Sequence, residues 1–197
     1  VPKASTFTKK RKEARKRLLD VANALMGTDL DDDTLIVSTS GRYEFRNKGI
    51  DVYIEAMNRL LRDSNLKKNV LAFIDVPGWV GDPRQDLLER LESGKKFDTP
   101  LEVPEITHWL HNMSHDNVLG MLKYFNMHNN KEDKVKLIFL PCYLTGDDGI
   151  INKSYYDVVL GNDLCIYPSY YEPWGYTPLE AVAFKVPCIR SEEHTSE

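Results

Sequence analysis

Long apolar runs and cysteine are scarce in this sequence of 197 residues. No apolar run approaches the roughly 20 residues that a membrane-spanning helix needs, and the amino-terminal stretch lacks the apolar core of a secretory signal peptide. Each of the three cysteines, Cys142, Cys165 and Cys188, lies in or beside an apolar run and far from the others. This favours buried free thiols over a disulfide or a metal site. These absences predict a cytoplasmic protein that does not bind a membrane.

A strong charge of one sign is also missing. The net charge of −4 indicates no general attraction to nucleic acid or to a membrane surface. The exception is KKRKEARKR (9–17), which could form a nucleic-acid patch. No aromatic residues are interleaved there, however, and apolar residues continue the segment at helical spacing. We interpret it as the solvated face of a helix that ends at Gly27.

What the sequence does contain is an alternation of apolar strands and amphipathic helices. Strands rich in apolar or β-branched residues are predicted at 34–40, 69–77, 134–144, 164–170 and 186–189. Helices are predicted from residue 50, near 84–92, after a capping Asp116, and within 153–162, where Gly161 ends the helix. This alternation predicts an α/β fold, a Rossmann-like parallel sheet with helices on both faces. The length suits one domain with its own core.

Two groups of residues could suggest a metal, and both are rejected. Three aspartates at 31–33 lack the spacing of a calcium loop and are typical of a turn before a strand. His108, His111 and His115 recur at i, i+3 and i+7, but zinc sites usually show tighter patterns with cysteine or a catalytic glutamate. We therefore expect no metal and no cofactor.

Charged residues follow two of the predicted strands. Arg42 and Lys48 lie in the loop after the first strand, where Asn47 can cap the next helix, and Glu172 follows LCIYPSY (164–170). Ligands of parallel sheets bind at the carboxyl ends of the strands, so we expect these side chains to converge. The alternative is two exposed basic residues and a solvated loop carboxylate.

The last predicted helix starts just after Glu172. Thr177 can cap it, with Pro178 in the first turn, and Thr177-x-x-Glu180 fits a capping box. The free N–H groups and the positive end of the helix dipole would form an anion site there. The alternative is that Glu180 only caps the helix.

Two stretches resemble the signatures of one family. SYYEPWGYTPLEA (169–181) and GRYEF-x-NKG (41–49) are similar to segments of glycogen synthases of the animal and fungal type, which also have bacterial relatives. The resemblance implies the C-terminal, nucleotide-sugar-binding domain of a retaining glucosyltransferase with the two-domain GT-B fold.

The resemblance also implies roles for individual residues. Arg42 and Lys48 would hold the diphosphate of the donor, and Glu172 would lie near the reacting sugar. The backbone amides of Gly175, Tyr176 and Thr177 would hold the distal phosphate. Tyr155 would stack on the base, and Glu180 would bind the ribose hydroxyls.

By the same resemblance, the parent enzyme transfers glucose from a nucleotide diphosphoglucose, with UDP-glucose expected, to the 4-hydroxyl of an α-1,4-glucan. No nucleic-acid or membrane partner is expected, and a homo-oligomer is allowed. Two alternatives stay open: another retaining transferase of the same fold, and a non-catalytic nucleotide-sugar-binding module. The broader relatives share only the spaced glutamates.

The resemblance predicts the limits of the domain as well, because a segment similar to residues 1–33 precedes this domain in the family and indicates a connector helix. Residues 34–189 would be a truncated nucleotide-sugar-binding domain, because the family continues past this point with more sheet and helix. The polar tail at 190–197 matches nothing expected there, and we predict that it is not native. A fragment lacking the amino-terminal domain of the family is therefore expected.

Overall fold

A five-stranded parallel sheet forms the centre of the computed structural model, which describes residues 3–172 and 174–191. The strands of this part of the chain are β1 (Leu35–Ser40), β2 (Val70–Asp75), β3 (Val80–Pro83), β4 (His108–Leu110), β5 (Val135–Leu140), β6 (Leu164–Tyr167) and β7 (Cys188–Arg190). Its helices are α1 (Ala4–Met26), α2 (Ile50–Leu61), α3 (Gln85–Ser93), α4 (Asn117–Tyr124), α5 (Tyr155–Leu160) and α6 (Tyr176–Ala183).

The strands of the sheet follow the order β5-β2-β1-β6-β7, and every pairing is parallel. All residues of β2 and β5 are buried, which explains why both strands are apolar apart from Asp75 and Lys136. β1 pairs with β2 along its full length, from Leu35 opposite Val70 to Ser40 opposite Asp75. The predicted α/β fold with a parallel sheet is confirmed.

Helices cover the sheet from both sides, as predicted. Leu71 and Phe73 of β2 belong to a core that includes side chains of α1, α3 and α5. Ala72 and Ile74 point the other way and pack in a second core with α2 and α4. A smaller cluster joins α6 to β6 and β7. The period-two alternation along β2 therefore divides the apolar residues between two helical layers.

The basic stretch of α1 is only partly the solvated face that the sequence predicts, because Lys9, Lys10, Lys12 and Lys16 are exposed but Arg15 is buried. Arg15 is 6% exposed, and its guanidinium donates to Asp32 Oδ1 and to Asp163 Oδ2, each at 2.8 Å, and to the carbonyl oxygen of Gly161 at 3.1 Å. Arg11 donates to Asp163 Oδ1 at 2.6 Å. The residues that bury these arginines are distant in sequence, so charge alone could not reveal them. These contacts attach α1 to the sheet.

Two predicted helix caps are wrong. Asn47 does not cap α2, which begins after Gly49; its side chain donates instead to Glu44 Oε2 at 2.6 Å. Thr177 does not cap α6, which begins after Gly175 and has no side-chain cap, so the predicted capping box is not formed. Both N-cap glycines have a positive φ, 64° and 55°. A left-handed glycine, not a side-chain oxygen, therefore precedes each helix.

Other predicted helix ends are confirmed. Gly27 ends α1 in the left-handed conformation with φ 65°. The Asp116 carboxylate caps α4 by accepting the N–H of Leu119 at 2.9 Å. Gly161 follows α5 directly. The predicted helix near 84–92 is α3, and the segment around it also forms the small antiparallel sheet of β3 and β4.

The thiols follow the expectation from sequence. Cys142, Cys165 and Cys188 are free, the first two buried and the third half-buried. Among the described residues, no helix combines the length and the apolar character needed to cross a bilayer.

The limits proposed for the domain and the tail stay a prediction. Most of the tail, at 192–197, lies outside the described residues. Of the rest, Arg190 is opposite Tyr167 in the sheet, and the Ser191 N–H donates to the Tyr167 carbonyl oxygen at 3.2 Å.

Candidate functional site

Two adjoining cavities open at the carboxyl edge of the sheet. The first, here called the glutamate cavity, has a volume of about 460 Å³ and surrounds Glu172. The second, the tyrosine cavity, has a volume of about 570 Å³ and surrounds Tyr155. They share the lining residues Ser40, Gly41, Arg42 and Thr177. A ligand that extends past these shared residues can therefore occupy both cavities.

The two loops that line the glutamate cavity are held together by backbone contacts. The Tyr170 N–H, after β6, donates to the Asn47 carbonyl oxygen, before α2, at 2.8 Å. Gly49 approaches Pro168 so closely that a Cβ on it would lie 1.9 Å from the Pro168 carbonyl oxygen. Because only glycine fits this crossing, Gly49 fixes the distance between the loop that carries Lys48 and the loop that carries Glu172.

Lys48 and Glu172 form an ion pair at this crossing, with Lys48 Nζ donating to Glu172 Oε2. The side chains are 13% and 23% exposed, so the pair is largely withdrawn from water. Removing water strengthens the attraction between the charges but also costs desolvation energy for both groups. The cavity thus holds a cation and a carboxylate that a polar ligand can separate and use individually.

Arg42 stands at the boundary of the two cavities. Its side chain is 79% exposed, and Nη2 lies 3.1 Å from Glu44 Oε1. An exposed pair of this kind contributes little to stability. The planar guanidinium can therefore turn to an anionic ligand at small cost and offer it two parallel N–H groups.

The start of α6 faces the glutamate cavity. Tyr176 and Thr177, in the first turn, both line it. Gly175 precedes them with φ 55°, and a Cβ there would lie 3.3 Å from Arg190 Nη1. The first N–H groups of a helix have no partner within the helix, and its dipole is positive at this end. This end of α6 suits an anion.

Tyr155, the first residue of α5, lines the tyrosine cavity. Its hydroxyl lies 2.9 Å from Ser40 Oγ, at the end of β1. Burial, more than any other cause, raises the pKa of this hydroxyl to about 12. The ring is thus fixed beside the sheet edge, where a flat ligand group can stack on it.

Glu180 is not among the residues that line either cavity. It lies one turn after Thr177 on α6, and its Oε1 accepts a hydrogen bond from the Tyr156 hydroxyl at 3.2 Å. The Tyr156 ring stacks on Phe184, with ring centroids 5.2 Å apart. The structure therefore places Arg42, Lys48, Glu172, Tyr176 and Thr177 around one cavity and Tyr155 in the next, with Gly175 and Glu180 outside the two linings.

Asp75 is a site residue that the sequence did not single out. It ends β2, lines the tyrosine cavity and is 7% exposed. Burial raises the pKa of its carboxyl group from 3.8 to about 7. The available signal was one charged residue closing the apolar run VLAFID, but a strand can end on an aspartate without any functional reason.

A second group of side chains that the sequence did not predict lies where β4 meets the loop after β5. His108, Cys142 and Asp148 bring potential metal-ligand atoms within 4.8 Å of one another. His108 Nε2 lies 2.8 Å from the Asp148 carbonyl oxygen, and burial raises the pKa of the Cys142 thiol. The Asp148 carboxylate accepts the N–H groups of Ile150, Ile151 and Asn152. These hydrogen bonds fasten the loop after β5; His111 and His115 do not belong to the group.

Comparison with known proteins indicates the family of this chain. The family model for glycogen synthase matches residues 20–88 and 97–194. The sequence is 31% identical to glycogen [starch] synthase of Neurospora crassa, over 80% of this chain and 30% of that protein. It is 32% identical to glycogen [starch] synthase of Dictyostelium discoideum, over 81% of this chain and 24% of that protein.

A human relative matches in the same way. Liver glycogen [starch] synthase of Homo sapiens is 29% identical over 79% of this chain and 29% of its own length. The chain thus spans less than a third of the curated relatives it matches. The family model covers most of the sequence, including both motifs and all the residues of the two cavities that the sequence predicted. The chain belongs to the glycogen synthase family.

Proposed function

We propose that this chain is the donor-binding part of a longer glucosyltransferase that extends an α-1,4-glucan from a nucleotide diphosphoglucose, with UDP-glucose as the donor. The observation that carries the proposal is the glutamate cavity, where Lys48, Glu172 and the start of α6 surround one space beside Arg42. Positive groups suited to phosphate and a single carboxylate suited to a sugar cation meet there.

The cationic side bears the diphosphate. Arg42 leaves Glu44 and presents two N–H groups to phosphate oxygens, while Lys48 contributes a compact charge. The free N–H groups of Tyr176 and Thr177 complete the site at the positive end of α6. As the bond between the sugar and the phosphate breaks, negative charge grows on the leaving diphosphate. Groups held in place before the reaction stabilise that charge without further reorganisation.

Glu172 acts on the sugar. When Lys48 turns to the diphosphate, the Glu172 carboxylate loses its partner and faces the space in which the glucose lies. The anomeric carbon becomes positive as the donor bond breaks, and a nearby carboxylate stabilises that charge. The glucan 4-hydroxyl then forms the new bond to this carbon and passes its proton to an oxygen of the leaving diphosphate. We propose that the configuration of the anomeric carbon is retained.

The nucleoside end of the donor occupies the tyrosine cavity. Its base stacks on Tyr155, and its ribose lies near Thr177, which both cavities share. Glu180, one turn further along α6, accepts hydrogen bonds from the ribose hydroxyls, replacing the bond it accepts from Tyr156. A cytoplasmic location is part of the same proposal, because nucleotide sugars would be supplied there.

The test uses the full-length protein that carries this sequence. Labelled UDP-glucose and ADP-glucose are each offered with glycogen, and incorporation of label is measured together with the anomeric configuration of the new linkage by NMR. Incorporation from UDP-glucose into α-1,4 linkages supports the whole proposal. Preference for ADP-glucose would correct the donor, a β-linked product would refute retention, and no incorporation from either donor would refute the activity.

A further inference from the structure

Asp75 is a buried acid whose Oδ1 finds no hydrogen-bond partner in the described part of the chain. It ends β2, where Ser40 of β1 and Leu140 of β5 are its neighbours in register. The residue is 7% exposed, and its Oδ1 is buried with no hydrogen-bond partner among the described residues. Leaving a buried polar atom unpaired destabilises the fold. Such an atom in a native fold calls for an explanation, and a bound ligand is one.

The position of Asp75 indicates which ligand could satisfy it. It lines the tyrosine cavity together with Tyr155, whose hydroxyl bonds to Ser40, the direct neighbour of Asp75 across the strand pair. Adjacent strands lie about 4.8 Å apart, so the Asp75 carboxyl group and the Tyr155 ring lie in the same part of the tyrosine cavity. A flat, polar ligand group stacked on Tyr155 would bring its edge towards the end of β2.

The groups around Asp75 do not supply a positive charge to it. The titratable or charged side chains that act on it or share its cavity are Tyr53 of α2, Arg42 and Tyr43 of the loop after β1, Cys142 and Tyr143 of the loop after β5, Tyr155 of α5 and Cys165 of β6. Arg42 is the cation among them, and its side chain is largely exposed and paired with Glu44. Burial alone accounts for the raised pKa of Asp75.

We propose that Asp75 contacts the base of the donor nucleotide and binds its hydrogen-bonding edge as a neutral carboxylic acid. The inference rests on the proposed function, because it needs a nucleotide in the tyrosine cavity. A neutral carboxyl group offers one O–H donor beside one acceptor oxygen. The imide edge of uracil presents the complementary pair, an N–H donor beside a carbonyl acceptor.

The ionised form of Asp75 would bind a different edge. A carboxylate has acceptors only, so it would face the carbonyl oxygens of uracil with repulsion on either side of the single N–H. Two adjacent N–H donors, as on guanine, would suit it instead. Binding of uracil is therefore coupled to a proton on Asp75, and above the pKa of this group the protein takes up one proton from solvent when the nucleotide binds.

The experiment measures UDP affinity of the full-length protein by calorimetry at pH 6 and pH 8, in buffers of different ionisation enthalpy. Two variants are compared: Asp75→Asn keeps a donor beside an acceptor and has no proton to lose, and Asp75→Leu removes both. Inorganic pyrophosphate, which has no base, is the control ligand. Asp98→Asn, in an exposed loop, is the control variant.

For the unchanged protein we expect UDP binding to weaken by up to about tenfold from pH 6 to pH 8, with proton uptake at pH 8. Asp75→Asn should bind UDP within a few-fold of the unchanged protein at pH 6, without proton uptake at pH 8. Asp75→Leu should bind UDP about tenfold more weakly at pH 6, which corresponds to the loss of one to two hydrogen bonds. Its affinity for pyrophosphate should not change.

The outcomes separate this inference from the proposed function. Normal UDP affinity and an unchanged pH profile in Asp75→Leu would overturn the role of Asp75 alone. Equal losses for UDP and pyrophosphate would also overturn it, because the effect would not concern the base. If the unchanged protein bound no UDP, the proposed donor and this inference would be refuted together.

Discussion

At the scale of single residues, the pairing of Lys48 with Glu172 changes what a substitution of the glutamate should do. Glu172→Gln removes the charge that opposes Lys48, so the lysine becomes freer to bind a diphosphate. Donor affinity should stay within a few-fold or improve slightly. Turnover should fall by on the order of a hundredfold or more, because the carboxylate acts on charge that develops only in the transition state.

The measurement combines donor binding by calorimetry with kcat for glucan extension in the full-length protein. Glu44→Gln is the matched control, since Glu44 is also paired with a cation of the same loop but does not line the glutamate cavity. Its turnover should stay near normal. Near-normal turnover of Glu172→Gln would instead make Glu172 the solvated loop carboxylate of the alternative interpretation.

Asp75 gives a second prediction at this scale, now for stability. Its pKa of about 7 in the folded protein lies above the ordinary 3.8, so the folded state holds the proton more tightly than the unfolded chain. The stability that this proton contributes is complete below pH 3.8 and is lost as the pH rises to about 7. Between pH 5 and pH 8 the unfolding free energy should fall by about 3 kcal/mol more than in Asp75→Asn.

Urea denaturation of the unchanged protein, Asp75→Asn and Asp98→Asn at the two pH values checks this. The exposed control should follow the unchanged protein. Parallel pH dependence of the unchanged protein and Asp75→Asn would mean that Asp75 ionises normally in the folded state.

At the scale of elements, the sequence predicted strands and helices better than the loops that carry the site. Apart from Asp75 and Lys136, the residues of β2 and β5 are apolar because both faces of each strand are buried, and this signal is local. The predicted caps Asn47 and Thr177 are wrong because the starts of these helices are not determined by local sequence alone. Where α2 begins depends on Gly49 passing Pro168, a contact between positions far apart in the chain. Local preference for a side-chain cap could not compete with it.

The candidate site, too, was predictable from the sequence only in part. Arg42, Lys48 and Glu172 were predictable because charged residues after strands of a parallel sheet must share an edge. Their detailed relation was not, because the ion pair depends on the crossing of two loops. Asp75 was missed because a single acid at a strand end is common, and only its burial distinguishes it.

The loop crossing can be tested with a pair of glycines. Gly49 and Gly94 have nearly the same positive φ, 64° and 63°, but a Cβ on Gly49 would overlap the Pro168 carbonyl oxygen, whereas Gly94 has nothing within 4 Å. Gly94→Ala should therefore show only the cost of the left-handed conformation, about 1–2 kcal/mol. Gly49→Ala should cost several kcal/mol in urea denaturation and weaken donor binding, because the two loops must separate. Equal losses in both variants would show that the close approach is unimportant.

At the scale of the whole molecule, α1 packs as part of the fold and is not only a link to another domain. Arg15 joins it to the loop before β1 and to the loop before β6 through Asp32 and Asp163. Arg15→Ala would remove one of the two arginines paired with Asp163 and the donor to the carbonyl oxygens of Gly161, Asp32 and Thr34. We expect a loss of about 3–5 kcal/mol in unfolding free energy. Lys12→Ala, on the exposed side of the same helix, should change it by less than about 0.5 kcal/mol. A negligible effect of Arg15→Ala would support a separate connector at 1–33.

The last prediction concerns this chain without the rest of the enzyme. Both cavities lie at an open edge of the sheet, and the chain spans less than a third of the length of its curated relatives. In the proposed two-domain enzyme, a second domain would close over the glucose, exclude water and position the glucan, and such closure completes sites of this kind. The groups that we propose hold the nucleotide, by contrast, lie within this chain. We therefore expect residues 1–197 alone to bind UDP weakly, through Arg42, Lys48 and Tyr155, and to transfer no glucose to glycogen.

Calorimetry with UDP and incorporation of label from UDP-glucose measure the two properties separately, and full-length Glu172→Gln marks the background of the transfer assay. Label incorporated by the isolated chain above that background would show that the cleft needs no second domain.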